Sequence, residues 1–528
     1  RPIIGIANTW SELNPCNGGL RDLAEHVKRG VIAAGGTPLE FPTISIAEAF
    51  VRPSSLYLRN LLAMDTEEMI VASPIDGVVV LGGCDKTIPA MLMGVASADK
   101  PALALAAGPR PLSRRLGEPM TVEALWPLID ERRAGRLCDE GWSDLEGSLS
   151  AGVGTCNVMG TAVTMAVVAE VLGMALPGSA LPSASSARRA QLAEATGRQI
   201  VARTRSGITP KQVIDRSALQ NAFRAICAVG GSTNAVLHLI AIAGRVGIDL
   251  SAAELRELSA TTPLLADVKP SGEGYLHELE DDGGVPALMG RLERISAMDA
   301  RAGDDRPWRE VAVSRPSVSG RLRTLAEPAG PTGSLALLYG SLAPASALLK
   351  VSAASPELCQ HRGPAVVFDG VEDLRARIDD PDLLIDANSV LVLRGVGPVG
   401  GPGMPEVGHL PIPARLLAEG VTDMVRISDA RMSGTATGTV VLHVAPESAV
   451  GGPLSLVTDG DIIELDVAAG RLDLLVERDE LVRRSEAIQL PEYSCRGYEQ
   501  LYRQHVLQAS GGCDFDFLRA DSVKTVTA

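Results

Sequence analysis

Residues 77–86 read GVVVLGGCDK, and this stretch decides the fold class. Its apolar run is typical of a strand buried inside a parallel sheet, and Cys84 opens a Cys-Asp-Lys triplet where the run ends. A second run, PIIGIA at residues 2–7, predicts another buried strand, and a polar turn containing Cys16 follows it. Ligands bind beyond the carboxyl ends of strands in open parallel sheets. Both cysteines are therefore predicted to lie where chemistry occurs.

Helical patterns alternate with such runs through the first half of the chain, as expected of a parallel α/β sheet. Residues 155–172 (TCNVMGTAVTMAVVAEVL) predict a helix capped by Thr155, with Cys156 in its first turn. A helix N-terminus favours the thiolate form of a cysteine. Residues 219–243 predict two further helices, with Ser232 capping the second after a Gly-Gly break.

The pattern changes after residues 301–333, a segment rich in Arg, Pro, Gly and Ser that loses apolar periodicity. Short apolar runs with turn signals follow, and we expect strands at residues 365–368, 389–393, 439–443 and 462–467. The predicted fold is an α/β N-terminal domain with a largely parallel sheet flanked by helices, plus a β-rich, barrel-like C-terminal domain. We place these domains at residues 1–325 and 335–528, and expect a helical tail over residues 492–518.

The composition is that of an ordinary globular protein, with 46% hydrophobic and 21% charged residues. The chain carries 49 Lys and Arg residues against 64 Asp and Glu, which gives a net charge of −15. Because no concentrated basic tract is present, neither nucleic acid nor an anionic membrane surface is an expected partner. A small anionic substrate would need local positive charge, such as a metal ion.

The eight cysteines of this 528-residue chain include no Cys-x-x-Cys pair and are too sparse for a disulfide scaffold. We therefore expect free or metal-bound thiols in a reducing compartment, and predict a cytoplasmic location. The longest apolar segment, residues 158–176, carries Glu170 and is followed by Pro177. A buried helix is a better interpretation of it than a membrane span.

Residues 395–400 (GVGPVG) match the Gly-x-Gly-x-x-Gly pattern of dinucleotide-binding loops. Such a loop needs a helix to begin within it, so that its amides face a pyrophosphate. Pro398, Pro402 and Pro405 would interrupt that helix. A rigid Gly/Pro loop is therefore the favoured interpretation, and an oxidoreductase that binds a nicotinamide or flavin cofactor there is the less favoured alternative.

Cys16, Cys84 and Cys156 are far apart in the sequence, and their spacing matches no compact zinc or ferredoxin motif. Taken alone, each is more typical of a small buried side chain than of a ligand. Asp85 and Lys86, however, put a hard oxygen ligand and an amine beside a soft sulfur, which could hold two different metals close together. A surface Asp-Lys pair is the simpler alternative.

Six segments together resemble the dihydroxy-acid and sugar-acid dehydratase family, and they occur in that family's order over most of the chain. They are NPCNGGL (14–20), GGCDKTIPAML (82–92), GTCNVMGTAVTMA (154–166), GGSTNAVLHL (230–239), GPGMPE (401–406) and SDARMSGT (428–435). As a set these segments are highly specific. Within the family, FPTISIAEAF and ISDARMSGTATG are more similar to the aldonate dehydratases than to the branched-chain amino-acid or phosphogluconate enzymes.

The resemblance implies two inorganic cofactors and a serine base. It implies a 2Fe-2S cluster, with one iron open to substrate, bound by Cys16, Cys84 and Cys156. It implies a Mg2+ site made by Glu48, Asp85, Glu406 and Lys86, the lysine as a carbamate that turns a cation into an oxygen ligand. It further implies that Ser433 is the base and that Thr435 lines the same pocket.

These groups suit the removal of water from a 2,3-dihydroxy acid. The reaction takes a weakly acidic proton from C2 and expels hydroxide from C3, and both steps need electrostatic help. A serine is too weak a base at neutral pH unless cations and amides stabilise its alkoxide. The enol formed then becomes a 2-keto-3-deoxy acid. The resemblance thus implies a hydro-lyase with a small sugar-acid substrate, assembled as a homodimer or homotetramer.

Two segments depart from what is usual in the sugar-acid branch, and both are expected to line or border the site. They are HELEDDGG at residues 277–284 and YGSLAPAS at residues 339–346. These departures leave the substrate open. A branched-chain dihydroxy-acid dehydratase and a non-catalytic metal-binding relative are the alternatives.

Overall fold

The N-terminal half is built on a four-stranded parallel sheet with strand order β2-β1-β3-β4. The computed structural model of the protein describes residues 1–314 and 316–520. The strands are β1 (Ile3–Asn8), β2 (Thr37–Pro42), β3 (Gly77–Gly82) and β4 (Ala102–Ala106). The two strands predicted from the sequence, β1 and β3, are the central pair. Every residue of β3 is buried, as its continuous apolar run predicts.

Helices cover both faces of this sheet. The helices of the N-terminal half are α1 (Leu20–Ala33), α2 (Ser55–Ala72), α3 (Thr87–Ala98), α4 (Leu125–Arg133), α5 (Asp139–Ser148), α6 (Thr161–Val171), α7 (Ala187–Ser206), α8 (Pro210–Val213), α9 (Arg216–Ala228), α10 (Thr233–Arg245), α11 (Ala252–Ala260), α12 (Leu276–Asp281), α13 (Gly284–Arg291) and α14 (Trp308–Val311). Ile4 and Ile6 of β1 pack in one core with residues of α1 and α7. Val78 and Val80 of β3 belong to the core on the other side, with residues of α2, α3 and α6. This alternation is the period of two expected of a strand covered on both faces.

The C-terminal half is built on an eight-stranded mixed sheet with order β16-β15-β11-β12-β13-β14-β10-β9. The strands from β5 onward are β5 (Ser113–Arg115), β6 (Glu118–Met120), β7 (Pro263–Leu264), β8 (Gly330–Thr332), β9 (Ala336–Leu338), β10 (Ser346–Leu349), β11 (Gln360–Asp369), β12 (Val390–Arg394), β13 (Arg426–Ser428), β14 (Val440–Ala445), β15 (Ile462–Asp466) and β16 (Arg471–Leu474). Tyr339, just past β9, exchanges backbone hydrogen bonds with Gly470 and Leu472 beside and within β16. Those bonds nearly close the sheet into a barrel, and the predicted barrel-like fold class is confirmed.

Two local predictions about helices are wrong in their extent. The helix expected over residues 155–172 begins only at Thr161, with Gly160 as its N-cap. Thr155 instead forms a parallel bridge with Pro109, and its amide donates to the Gly108 carbonyl at 2.9 Å. Cys156 therefore lies in a loop ahead of the helix, and the argument from a helix N-terminus does not apply to it.

The predicted helical tail is α-helical only over Tyr498–His505, with short 3-10 turns at Ala509–Gly511 and Asp516–Leu518. The helices of the C-terminal half are α15 (Gly370–Arg377), α16 (Ala414–Ala418), α17 (Arg478–Ala487) and α18 (Tyr498–His505). Residues 521–528 of the predicted second domain lie outside the described residues. Within the part of the chain that the structure describes, no helix is long and apolar enough to cross a membrane. The domain boundary between residues 325 and 335 stays a prediction.

Candidate metal and catalytic centre

Two of the three predicted cysteine ligands, Cys16 and Cys84, contact each other beyond the carboxyl ends of β1 and β3, and Cys156 lies in a neighbouring loop within reach of the Cys16 charge. Cys16 lies in a short 3-10 turn after β1, and Cys84 directly follows the Gly-Gly pair that ends the predicted β3 run. The Asn17 side-chain oxygen accepts the Cys84 amide at 3.2 Å, which ties these two loops together. The loop before Cys156 is tied to the first one by the Gly154 amide, which donates to the Pro15 carbonyl at 3.3 Å.

The thiols form one electrostatic unit. A hydrogen bond between Cys84 and Cys16 lowers the pKa of Cys16 and raises the pKa of Cys84, which makes Cys84 the donor of the pair. Burial raises the pKa of Cys156, and the charge on Cys16 raises it further. Arg110 is the cation beside this unit, and its charge favours the thiolate form of both Cys16 and Cys156. Its Nε donates to the Thr155 carbonyl at 3.1 Å.

A cluster of carboxylates adjoins the thiols. Glu48, Asp85 and Glu406 each place one oxygen within 4.8 Å of the others, an arrangement that could hold a metal ion. Glu406 comes from the loop after β12, so the two halves of the chain build this cluster together. The Glu48 amide also donates to Cys84 Sγ at 3.3 Å. The sulfur of Cys84 is therefore in direct contact with the residue that carries one of the carboxylates, Glu48.

Lys86 lies inside the carboxylate cluster and is completely buried. Its Nζ is 3.1 Å from Glu48 Oε2, 3.8 Å from Asp85 Oδ2 and 4.0 Å from Glu406 Oε1. None of these contacts has the geometry of a hydrogen bond, and Nζ has no hydrogen-bond partner among the described residues. The three carboxylates compensate the charge of Lys86 although they do not accept hydrogen bonds from it.

Arg431 contacts the carboxylate cluster, and the sequence analysis did not single it out. It is fully buried, donates from Nη2 to Glu48 Oε1 at 2.8 Å, and pairs through Nη1 with Glu406. The signal for it was present, because Arg431 stands inside SDARMSGT, two residues before Ser433. Nothing in that motif indicated that its partners would be carboxylates far away in the sequence.

The pKa values of Glu48 and Glu406 respond differently to the nearby cations Arg431 and Lys86. Burial favours the neutral form of Glu48, but Arg431 and Lys86 outweigh it and lower its pKa to about 2. Burial raises the pKa of Glu406 to about 7, and the nearby Glu48 charge acts in the same direction. Glu48 is therefore a permanent anion, whereas Glu406 takes up a proton easily until a cation compensates its charge.

Ser433 and Thr435 lie in the loop after β13 and contact each other. Their hydroxyl oxygens are 2.8 Å apart, and the Thr435 amide donates to Ser433 Oγ at 3.3 Å. Gly434 between them lets this loop approach the N-terminal half closely. A Cβ atom on Gly434 would lie 2.7 Å from the Thr161 amide nitrogen and 2.8 Å from Ser232 Oγ, so only glycine fits there.

The GGSTN segment connects this loop to the carboxylates. Ser232 accepts a hydrogen bond from the Asn234 amide at 3.1 Å, which confirms the predicted helix cap. The Asn234 side-chain amide donates to the Met432 carbonyl at 3.0 Å and to Glu406 Oε1 at 3.4 Å. Asn234, in the quoted segment GGSTNAVLHL, therefore contacts both the carboxylate cluster and the serine loop.

Backbone amides of the glycine loop at residues 395–400 bind a side chain of the protein itself. No helix begins in it, as its prolines predict. The amides of Val399 and Gly400 both donate to the buried carboxylate of Glu447, each at 2.8 Å. A carboxylate thus holds the donors that a pyrophosphate would need, which argues against the dinucleotide alternative.

The two departing segments differ in their relation to the site. His277 and Glu280 line a cavity of about 340 Å³ together with Arg110 and Asn157, the neighbour of Cys156. The segment at residues 339–346 instead contacts β16, where the Ser341 amide donates to Asp473 at 2.8 Å.

The donor sets suit the two implied cofactors. Thiolates are the ligands that iron-sulfur clusters take, and carboxylates are those that Mg2+ prefers. Lys86 lies among these three carboxylates, so a carbamate on Lys86 would add one more oxygen donor to the same set. The residues present therefore fit both groups.

Comparison with known proteins defines the class. Residues 1–304 match the N-terminal domain, and residues 321–513 the C-terminal domain, of the dihydroxy-acid/6-phosphogluconate dehydratases. The chain belongs to this family, and it is a hydro-lyase.

Three relatives show where the chain stands within the family. It is 48% identical to the L-arabonate dehydratase of Azospirillum brasilense, covering 98% of this chain and 91% of the relative. It is 46% identical to the 6-deoxy-6-sulfo-D-gluconate dehydratase of Pseudomonas putida, with the same coverage of both chains. A dihydroxy-acid dehydratase of Moorella thermoacetica is 38% identical over 97% of this chain and 94% of the relative.

Proposed function

We propose that this protein is an aldonate dehydratase, which converts a sugar acid to its 2-keto-3-deoxy acid. The proposed cluster ligands are Cys16, Cys84 and Cys156. The proposed Mg2+ ligands are Glu48, Asp85, Glu406 and a carbamylated Lys86. The observation that carries the proposal is the Glu48 amide bound to Cys84 Sγ at 3.3 Å, because it puts soft and hard donors within reach of one small acid.

When bound, Mg2+ supplies positive charge for the substrate carboxylate and C2 oxygen, and the cluster supplies Lewis acidity for the C3 hydroxyl. The chain's own residues handle the proton. Ser433 Oγ takes the C2 proton while the C3–O bond breaks, so that one proton and one hydroxide leave as water. The amide of Thr435, directed at Ser433 Oγ, stabilises the alkoxide that this step needs.

Arg431 and Asn234 keep the carboxylates in position. Arg431 bridges Glu48 and Glu406, and Asn234 links Glu406 to the backbone of the serine loop. Because the serine and the carboxylates are fastened together, the base keeps a fixed place relative to the substrate's carboxylate end.

Sugar acids are favoured over branched-chain acids as substrates by the relatives. Those named for sugar acids are 46% and 48% identical to this chain, against 38% for the dihydroxy-acid dehydratase. A panel of pentonates, hexonates and one branched-chain 2,3-dihydroxy acid, assayed by keto-acid formation, separates the two. Turnover of the branched-chain acid alone would contradict the proposal, and no product with any acid would favour the non-catalytic alternative.

The cluster assignment is tested on anaerobically purified protein. Cys84→Ser should lose most of the bound iron and sulfide together with activity, because a hydroxyl is a poor replacement for a thiolate. Cys138→Ser is the matched control, since Cys138 is an exposed cysteine outside the site. Full iron content and turnover in Cys84→Ser would refute the assignment.

The base assignment needs a separate variant. Ser433→Ala should keep iron and magnesium but lose turnover by at least about a thousandfold, since no other group would take the C2 proton. Ser485→Ala, on the exposed face of α17, is its control. Normal turnover of Ser433→Ala would place the base elsewhere.

We also infer a homodimer or homotetramer in the cytoplasm. The inference of a reducing compartment rests on the eight cysteines, all of which are unpaired. Light scattering of the purified holoenzyme gives the number of subunits, and a monomeric mass would contradict the expected assembly.

A further inference from the structure

Trp126 contacts the serine loop from the opposite half of the chain. It lies in the first turn of α4, and its indole Nε1 donates to Thr435 Oγ1 at 2.8 Å. Thr435 Oγ1 is in turn 2.8 Å from Ser433 Oγ. These three polar groups form a single hydrogen-bonded chain that ends on the proposed base.

The order of donors along this chain follows from hydrogen counting. An indole N–H can only donate, so Thr435 Oγ1 accepts from Trp126 and keeps its own hydrogen for another partner. Once Ser433 has lost its proton, its oxygen can only accept. The Thr435 hydroxyl then donates to Ser433, beside the Thr435 amide that already points there at 3.3 Å.

We propose that Trp126 is a positioning residue that holds the Thr435 hydroxyl as a donor toward Ser433, so that the serine alkoxide receives two hydrogen bonds. The proposal rests on the proposed function, because it presupposes Ser433 as the base. Hydrogen bonds in a chain polarise one another, so the indole N–H strengthens the bond that Thr435 makes to Ser433. Trp126 acts through Thr435 and touches neither substrate nor metal in this arrangement.

The surroundings of Trp126 fix the indole ring in place. The ring packs against His409 with centroids 5.2 Å apart, and His409 Nε2 is hydrogen-bonded to the Thr437 carbonyl at 2.9 Å. At the other end of α4, Arg133 pairs with Asp379 at 3.0 Å and also donates to the Ile412 carbonyl. The helix that carries Trp126 is therefore anchored to the C-terminal half at the indole and at Arg133.

Trp126→Phe removes the N–H and keeps an aromatic ring against His409. We expect kcat to fall about 10- to 100-fold while KM changes less than about threefold, because the loss concerns the base rather than substrate binding. In a profile of kcat against pH, the limb where kcat rises with pH should move to higher pH by about one unit. The kinetic isotope effect of C2-deuterated substrate should increase. A role in packing alone would move neither the pH limb nor the isotope effect.

Trp142→Phe is the matched control. Trp142 lies in the next helix, α5, and donates its indole N–H to Glu146 at 2.8 Å, away from the site. It should leave kcat, the pH limb and the isotope effect unchanged. Iron content and circular dichroism of both variants show whether the fold and the cofactor are retained.

A double-mutant cycle with Thr435→Val completes the test. Thr435→Val should shift the pH limb in the same direction, and Trp126→Phe should add nothing further in that background. If Trp126→Phe does not fold, an unshifted limb in Thr435→Val still overturns the proposal. Unchanged kcat and pH limb in a folded Trp126→Phe overturn it too, provided Ser433→Ala is inactive. An active Ser433→Ala would instead refute the proposed function itself.

Discussion

Asp282 should hold the loop over residues 317–322, and its replacement by asparagine should release that loop. Asp282 stands in the departing segment HELEDDGG and is almost completely buried. Its Oδ1 accepts the amides of Val318 and Ser319, each at 2.6 Å. Its Oδ2 accepts four more donors, which are Ser317 Oγ, Ser319 Oγ, the Arg321 amide and the Leu322 amide.

An asparagine cannot reproduce this arrangement. Whichever oxygen of Asp282 becomes an NH2 group, it faces at least two donors that lose their acceptor. At about 1–2 kcal/mol for each unsatisfied buried donor, Asp282→Asn should weaken the loop locally by about 2–4 kcal/mol. Local opening of that size speeds amide hydrogen exchange by about 30- to 1000-fold, because about 1.4 kcal/mol corresponds to a factor of ten.

Hydrogen exchange read by mass spectrometry on peptides spanning residues 316–325 measures this change directly. Asp382→Asn, at an exposed aspartate of the C-terminal half, is the control. Equal protection of the loop in wild type and Asp282→Asn, or equal acceleration in both variants, would refute the reasoning.

The pH dependence of loop protection has a definite sign. Burial alone would raise the pKa of Asp282, but the hydrogen bonds from Ser317 and Ser319 outweigh it and lower the pKa to about 2. Since the folded pKa lies below the ordinary value of 3.8, the stabilisation is fully present above pH 3.8. It is lost as pH falls through 2. Asp282→Asn should show no such acid limb.

Two further substitutions test other parts of the structure. Gly434→Ala should lower kcat at least about tenfold, because the added methyl group would lie 2.7 Å from the Thr161 amide and displace the serine loop. Unchanged steady-state kinetics would contradict the close approach. Lys350→Met should stabilise the protein, since burial lowers the pKa of Lys350 to about 7 and its Nζ has no hydrogen-bond partner in the described residues. The charged form of Lys350, which this buried site disfavours, dominates at low pH. The gain in the free energy of urea unfolding should therefore be larger at pH 6 than at pH 9, with a difference on the order of 1–3 kcal/mol. A larger gain at pH 9 would contradict the assignment.

Local patterns predicted the sheet but not the loops that carry the ligands. The runs at residues 2–7 and 77–83 became β1 and β3, because continuous apolar residues have few alternatives to a buried parallel strand. The predicted helix start near Thr155 was wrong, because Thr155 forms a backbone bridge with Pro109 and is not part of the helix. That bridge joins segments far apart in the sequence, and no local pattern reports it.

The same limit explains which site residues were missed. Motif resemblance pointed to Glu48, although nothing in its own segment distinguishes it from a solvated helix residue. Arg431 and Trp126 each contact a partner in the other half of the chain, Glu48 and Thr435 respectively, which no local pattern reports. The sequence predicts which chemical groups are present, whereas their pairing depends on how the two halves are packed.

The proposed reacting groups are divided between the two halves, with the thiols on one and the serine on the other. A displacement of about 1 Å between catalytic groups can reduce a rate about a hundredfold. A compound that binds between the two halves and moves them apart could therefore inhibit the enzyme without resembling a sugar acid. Of the contacts between the halves described above, that of Gly434 with the start of α6 is the tightest, and inhibitor design could begin there.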